Sequence, residues 1–214
     1  MKNGDICLHI GAQRTGTTFL QRCVFSQINF YRNNIFFYSN ENIWTTIWDT
    51  FDDRWDRLRL LHESMPHARI IFGRRDKESF KRSLYRKYVA QGGTQPFMYF
   101  DAVINKPKLN LRCYVNKLRD TFDDVFIYNH RDLVLNHEKV IDDMCGFIGV
   151  PVPRYSVKSY NVGYGRYMLP VGRLLNKVFK NEFNPHGLIP CHYYFLPHRV
   201  IYQDIVMPHI GRKK

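Results

Sequence analysis

The stretch that decides the fold reads Leu8-His-Ile-Gly-Ala-Gln-Arg-Thr-Gly-Thr-Thr-Phe-Leu20. Ile6, Leu8 and Ile10 form a short apolar run that predicts a strand over 6–10, and Thr17 opens a segment whose apolar residues have helical spacing. A glycine loop between a strand and a helix is typical of an anion site, because backbone N–H groups converge there and the helix dipole adds positive potential. The sequence therefore predicts a phosphate cradle within residues 11–18.

One position in this loop bears on the kind of ligand. Gly11 and Gly16 have the spacing of the nucleotide-binding pattern G-x-x-x-x-G-K-[ST], but Thr17 stands where that pattern has lysine. A kinase or NTPase needs the lysine on its phosphates, so this class is disfavoured, while Arg14 supplies a cation within the loop. Taken alone, the loop also fits a Gly/Thr-rich turn that caps an ordinary helix.

The residues Arg14, Thr15, Gly16, Thr17 and Thr18 resemble the 5′-phosphosulfate loop of sulfotransferases, which bind 3′-phosphoadenosine 5′-phosphosulfate (PAPS). The resemblance implies that residues 13–18, from Gln13 onward, hold the 5′-phosphosulfate. It further implies that Arg14 neutralises charge on the bridging oxygen as the sulfuryl group leaves.

A second motif lies at the end of a later predicted strand, 69–73, where ligands of open α/β sheets bind. Sulfotransferases carry there an arginine and, eight positions later, a serine that together hold the 3′-phosphate of PAPS. Arg75 and Ser83 have that separation, whereas the residue eight positions after Arg74 is Arg82. A guanidinium can bind a phosphate bidentately, and a hydroxyl adds a further donor.

The resemblance covers most of the chain and implies a three-layer, P-loop-like α/β fold with a central parallel sheet flanked by helices. We expect a single domain over 1–214, with an α/β core at 1–150 and a loop-rich appendage at 151–214. The implied function is transfer of a sulfuryl group from PAPS, without a metal, to a hydroxyl or amine. The acceptor expected is a carbohydrate or another small or lipid-linked molecule.

Two further residues are candidates with an open alternative each. Glu41 follows a predicted strand at 35–38 and is the candidate general base, since a carboxylate can take the proton of an acceptor hydroxyl; alternatively it belongs to the first turn of a helix. Arg166, within Gly163-Tyr-Gly-Arg166, resembles the loop with which some sulfotransferases close over the 3′-phosphate; alternatively it is an exposed loop arginine.

The remaining pattern completes an alternating α/β order. Helices are predicted at 17–27, 44–62, 77–91, 111–122, 140–148 and 174–179, and a fourth strand at 125–128. The tryptophan stripe at 44–62 is expected to pack in the core, or else to stack on adenine or sugar. Residues 97–100 either line the acceptor cleft or seal the core.

Composition narrows the alternatives without choosing a substrate. The 32 Lys and Arg against 19 Asp and Glu leave a net charge of +13 in 214 residues, which attracts polyanions of any kind. Five cysteines without C-x-x-C spacing, and the lack of a visible signal peptide or membrane span, favour a cytoplasmic protein. The rival functions are a P-loop small-molecule kinase or NTPase and a non-catalytic basic protein that binds glycans or nucleic acid; no specific nucleic-acid motif is present.

Overall fold

The computed structural model describes residues 6–41, 51–104, 111–157 and 164–202, without the side chains of 51–54 and 193. Contacts divide the chain into two compact units, one of Met1–Lys77 with Asn105–Lys158 and one of Glu78–Ile104 with Ser159–Lys214. Within the described ranges, every helix is too short or too polar to cross a bilayer.

A four-stranded parallel sheet in the order β2-β1-β3-β4 forms the centre of the first unit. Its strands are β1 Ile6–His9, β2 Phe36–Ser39, β3 Arg69–Arg74 and β4 Val125–Asn129. The inner strands β1 and β3 are almost wholly buried, as expected of parallel strands covered on both faces. The edge strand β2 leaves Phe36 and Tyr38 about half exposed. The predicted α/β class, with a central parallel sheet flanked by helices, is confirmed.

The described α-helices are α1 Thr17–Phe19, α2 Phe51–Ser64, α3 Lys77–Ala90, α4 Phe100–Val103, α5 Leu111–Thr121, α6 His130–Leu135, α7 His137–Ile148, α8 Met168–Asn176 and α9 Pro197–Val200. α1 continues as a π-helical turn over Leu20–Val24 and a 3₁₀ turn over Phe25–Gln27, so the helical segment predicted at 17–27 is present.

Apolar stripes hold the helices of the first unit on its sheet. α5 buries Leu111, Tyr114, Val115 and Leu118, residues three and four apart on one helix face. The Trp55 ring of α2 lies 5.1 Å from the Tyr114 ring, so this tryptophan packs against the protein as predicted. The other two tryptophans of the stripe, Trp44 and Trp48, lie outside the described residues.

The second unit contains most of α3, with α4, α8, α9 and a two-stranded parallel pair, β5 Phe179–Lys180 and β6 Ile189–Pro190. The amide nitrogen of the buried Asn176 side chain donates to the backbone oxygens of Val89 and Gly93, both at 2.8 Å. α8 therefore ends where its last side chain ties it to the end of α3. α8 begins at Met168, six residues before the predicted start at 174. Pro170 does not prevent this, because it lies in the first turn of the helix, where a missing N–H breaks no helical hydrogen bond.

Candidate functional site

The loop between β1 and α1 is folded tightly upon itself. Arg14 and Gly16 have positive φ, at 69° and 93°, whereas Thr15 between them does not. Such alternation turns successive N–H groups toward one side and makes an anion-binding concavity. The buried Thr15 hydroxyl donates to the Ala12 oxygen at 2.6 Å and closes the turn around Arg14.

The position of this loop in the sheet is that of a ligand site. β1 pairs with β2 on one side and with β3 on the other. The connection from β1 therefore leads to one side of the sheet, and the later strands are added on the opposite side of β1. Ligands of open parallel sheets bind in the crevice that such a change of side opens at the carboxyl ends of the strands. The loop at residues 11–18 lies at the carboxyl end of β1.

Arg75, just beyond β3, meets the loop directly. Its Nη1 donates to the backbone oxygen of Arg14 at 2.7 Å, while Arg74 is exposed. The structure thus brings together two arginines that the sequence placed 61 positions apart. Arg75 supports the loop as well as adding charge to it.

A third basic residue, which the sequence analysis did not single out, lies beside these arginines. His130 opens α6, and its pKa is lowered to about 4, first by burial and then by the charges of Arg75 and Arg14. The neutral imidazole stands beside two guanidiniums, so the field that suppresses its protonation is one that attracts an anion. No local signal in the sequence separates this histidine from the others.

Glu41 contacts the residue at which α1 begins. The hydroxyl of the buried Thr17 donates to the Glu41 Oε2. The carboxylate and the threonine at the lysine position of the nucleotide-binding pattern are therefore direct neighbours. The alternative placement of Glu41 in a helix start involves residues from 42 onward, which lie outside the described residues.

A buried polar layer supports the loop from the sheet. His9, with no exposed surface, has its Nδ1 2.7 Å from the Ser39 hydroxyl and its Nε2 3.3 Å from the Tyr128 hydroxyl. The Tyr128 hydroxyl in turn lies 3.5 Å from Thr15 Oγ1. Burial lowers the pKa of His9 to about 3 and raises that of Tyr128. Sequence reasoning missed this layer, although a histidine inside an apolar strand next to a glycine loop was a usable signal.

Ser83 and Arg166, the other two predicted phosphate ligands, belong to the second unit. Ser83 is buried in α3, and the Arg166 guanidinium lies 5.1 Å above the Tyr167 ring. Their assignment to the 3′-phosphate stays a prediction, as does the placing of residues 13–18 on the 5′-phosphosulfate.

The aromatic segment at 97–100 seals the core at one end, whereas a part in the acceptor cleft stays a prediction. Phe100 is fully buried, whereas Phe97 lines a cavity of about 410 Å³ within the second unit. The other lining residues are Tyr85, Pro96, Met98, Leu169, Pro170 and Arg173.

Comparison with known proteins gives a likeness in structure only. No family model and no curated protein matches the chain. A crystal structure of a sulfotransferase from Alicyclobacillus acidocaldarius superposes with a TM-score of 0.52 at 14% identity, over 73% of this chain and 86% of that one. The structure of mouse sulfotransferase SULT7A1 complexed with PAP gives a TM-score of 0.48 at 12% identity, over 100% and 85%. At 14% identity, the first likeness shows that this chain has a fold found in sulfotransferases.

Proposed function

We propose that the chain is a PAPS-dependent sulfotransferase whose reacting end lies at the loop of residues 11–18. The observation that carries the proposal is the meeting of Arg14, Arg75 and Glu41 at this loop. Two guanidiniums and a strand-to-helix glycine loop suit sulfate or phosphate oxygens, and a carboxylate beside them suits an acceptor that must lose a proton. The fold shared with sulfotransferases adds to the case without deciding it.

The hydrogen-bond donors and cations at the loop suit PAPS, although the loop lacks the lysine of an NTPase. Thr17 occupies that position, and its hydroxyl is engaged by Glu41. Positive charge comes instead from within the loop, at Arg14, and from β3, at Arg75. A kinase would require a cation where Thr17 stands, so nothing in this arrangement favours phosphoryl transfer over sulfuryl transfer.

PAPS, when bound, supplies the sulfuryl group and a phosphate leaving group of growing negative charge. In this proposal Arg14 and the loop amides would neutralise that charge, and their contacts would strengthen in the transition state. Arg75 holds the loop through the Arg14 oxygen and, in this proposal, also binds the 3′-phosphate.

In this proposal Glu41 takes the proton of the acceptor. Its Oε2 accepts from Thr17, which orients the carboxylate and leaves Oε1 to receive the proton of an acceptor hydroxyl or amine. The acceptor class proposed remains a carbohydrate or another small or lipid-linked molecule.

The two arginines give the experiment that tests this assignment. Arg14→Asn retains a side chain that tolerates positive φ, removes the charge, and is expected to lower kcat by about 100-fold or more while changing the Kd of the bisphosphate product little. Arg75→Ala is expected to raise that Kd by about 10- to 100-fold, because it removes a charged hydrogen-bonding group. Product formation is followed by mass spectrometry with PAPS and a panel of hydroxyl and amine acceptors.

Arg74→Ala is the matched control, since it removes an exposed neighbouring arginine. It is expected to leave both quantities near wild type. A loss of kcat and affinity in equal measure in Arg14→Asn, or sulfuryl transfer unaffected by either substitution, would contradict the assigned roles.

A further inference from the structure

The pairing of the strands explains how a tyrosine on β4 reaches the loop after β1. His9 is paired with Ser39 and with Ile71, and two residues beyond Ile71 the strand β3 has Gly73, which is paired with Tyr128. Because Gly73 has no side chain, the Tyr128 ring passes over β3. A Cβ at position 73 would lie 2.5 Å from the Tyr128 hydroxyl and 2.6 Å from Thr15 Oγ1.

The contacts form one unbroken chain of polar atoms. In order, the distances are 3.1 Å from Gln21 Nε2 to Ser39 Oγ, 2.7 Å to His9 Nδ1, 3.3 Å from His9 Nε2 to the Tyr128 oxygen, and 3.5 Å to Thr15 Oγ1. The last contact is at the long limit of a hydrogen bond, so it is the one most dependent on a correctly placed hydrogen.

Both ends of this chain have fixed hydrogen directions. The Gln21 amide nitrogen can only donate, so the Ser39 oxygen accepts from it. The single hydroxyl hydrogen of Thr15 is directed at the Ala12 oxygen, so Thr15 can only accept from Tyr128.

Only one tautomer of His9 fills every link between those ends. With the hydrogen on Nε2, Ser39 donates to Nδ1, Nε2–H donates to Tyr128, and Tyr128 donates to Thr15. With the hydrogen on Nδ1, Tyr128 must donate to Nε2, and no hydrogen remains between Tyr128 and Thr15. A hydroxyl pair without a hydrogen between them, in a buried site, loses the stabilisation of that contact.

We infer that His9 and Tyr128 are positioning residues: His9, as its neutral Nε2–H tautomer, directs the Tyr128 hydroxyl to Thr15 and thereby holds the loop of residues 11–18 in its anion-binding shape. The inference rests on the proposed function in that the anion is the PAPS phosphosulfate. Thr15 is the residue whose hydroxyl closes the turn around Arg14, so its fixed position sets the direction of the loop amides.

The surroundings of His9 agree with a neutral ring. The Phe25 ring lies 5.1 Å away, and the polar groups against the two ring nitrogens are the hydroxyls of Ser39 and Tyr128. A second ring hydrogen would oblige Ser39 to accept from both His9 and Gln21, and the Ser39 hydroxyl hydrogen would lose its acceptor at Nδ1.

Two measurements on the full chain test the inference. Proton–nitrogen NMR of the histidine rings is expected to give the Nε2–H tautomer for His9 at pH 7, and a shift toward Nδ1–H in Tyr128→Phe, which lacks the acceptor. Calorimetric titration with 3′-phosphoadenosine 5′-phosphate, and separately with inorganic pyrophosphate, is expected to show Kd values about 10-fold higher in Tyr128→Phe than in wild type, the equivalent of one hydrogen bond.

Tyr88→Phe is the matched control. Tyr88 and Tyr128 are equally buried, at 2% exposure, and the Tyr88 hydroxyl accepts from the backbone N–H groups of Thr94 and Gln95 in the second unit. Its loss leaves two backbone donors unsatisfied, so it is expected to lower the Tm at least as much as Tyr128→Phe while leaving both Kd values unchanged.

The outcomes separate the inference from the proposed function. An Nδ1–H tautomer in wild type, or equal Kd values for wild type and Tyr128→Phe, would overturn the inference. Binding of pyrophosphate but not of the bisphosphate would refute the PAPS assignment, and the Tyr128 effect on pyrophosphate binding would still decide the inference. Binding of neither ligand would refute both.

Discussion

Gly73→Ala puts the packing beneath the loop to a direct test. The added methyl would lie 2.5 Å from the Tyr128 ring carbon Cζ, 2.5 Å from the Tyr128 hydroxyl oxygen and 2.6 Å from Thr15 Oγ1. All three distances are shorter than the contacts that Cβ atoms make in protein structures. Because Tyr128 is buried and cannot swing aside freely, the overpacking cost is about 1–3 kcal/mol. Replacing glycine by alanine within a strand recovers about 0.5–1 kcal/mol of backbone entropy. The expected net loss of unfolding free energy is therefore about 0–2.5 kcal/mol.

Gly146→Ala is the matched control, because a Cβ at this exposed position in α7 would meet no atom within 4 Å. It is expected to stabilise the protein by about 0.5–1 kcal/mol. Urea denaturation measures both changes, along with the double variant Gly73→Ala/Tyr128→Leu, in which the main clash is gone. The double variant should be less destabilised than the sum of its singles by about 1 kcal/mol or more. Additive losses, or a Gly73→Ala variant more stable than wild type, would refute the account of Tyr128 crossing β3.

Two further predictions concern stability. Asn176→Leu removes the amide donor to the Val89 and Gly93 carbonyls of the second unit. Val89 keeps the Gly92 N–H at 3.1 Å, so the main loss is at Gly93, and the unfolding free energy should fall by about 1–3 kcal/mol in urea denaturation. His9 has a pKa of about 3 in the folded chain against an ordinary 6.5, so below pH 6.5 only the unfolded chain takes up this proton. Its contribution to stability is complete above pH 6.5 and falls by up to about 1.4 kcal/mol per pH unit toward pH 3; in His9→Gln the acid slope of unfolding free energy should be shallower by that amount.

A specific result would contradict each of these two stability predictions. A loss below about 0.5 kcal/mol in Asn176→Leu would mean that the Gly93 carbonyl does not depend on the Asn176 amide. Identical acid slopes for wild type and His9→Gln would mean that His9 is protonated as easily in the folded chain as in the unfolded one.

The main features of the fold were predictable because each rests on local pattern. The apolar runs of β1 and β3 and the glycine loop after β1 follow directly from periodicity, and β2 lies one residue beyond its predicted range. The start of α8 was missed because Pro170 reads as a helix breaker unless its place in the first turn is known. Its end depends on Asn176 bonding to residues more than 80 positions away, which no local signal carries.

The candidate site was predictable only in part, for the same reason. The loop residues and Arg75 belong to recognisable motifs, and the structure brings them together. The partnership of His9 with Tyr128 spans 119 positions and exists only because β3 lies between β1 and β4 with a glycine at the crossing point. Gly73 was the available sign, since a glycine inside a strand often marks a close approach by another group.

Calorimetric titration of the wild-type chain with 3′-phosphoadenosine 5′-phosphate, beside AMP and ATP with Mg²⁺, tests the central claim most directly. The account predicts a Kd for the bisphosphate in the micromolar range, about −8 kcal/mol, with AMP much weaker because it lacks the 3′-phosphate. It also predicts that the Arg75→Ala variant binds the bisphosphate no more tightly than it binds AMP. The absence of bisphosphate binding, or a preference for ATP with Mg²⁺, would contradict the assignment of this loop to PAPS.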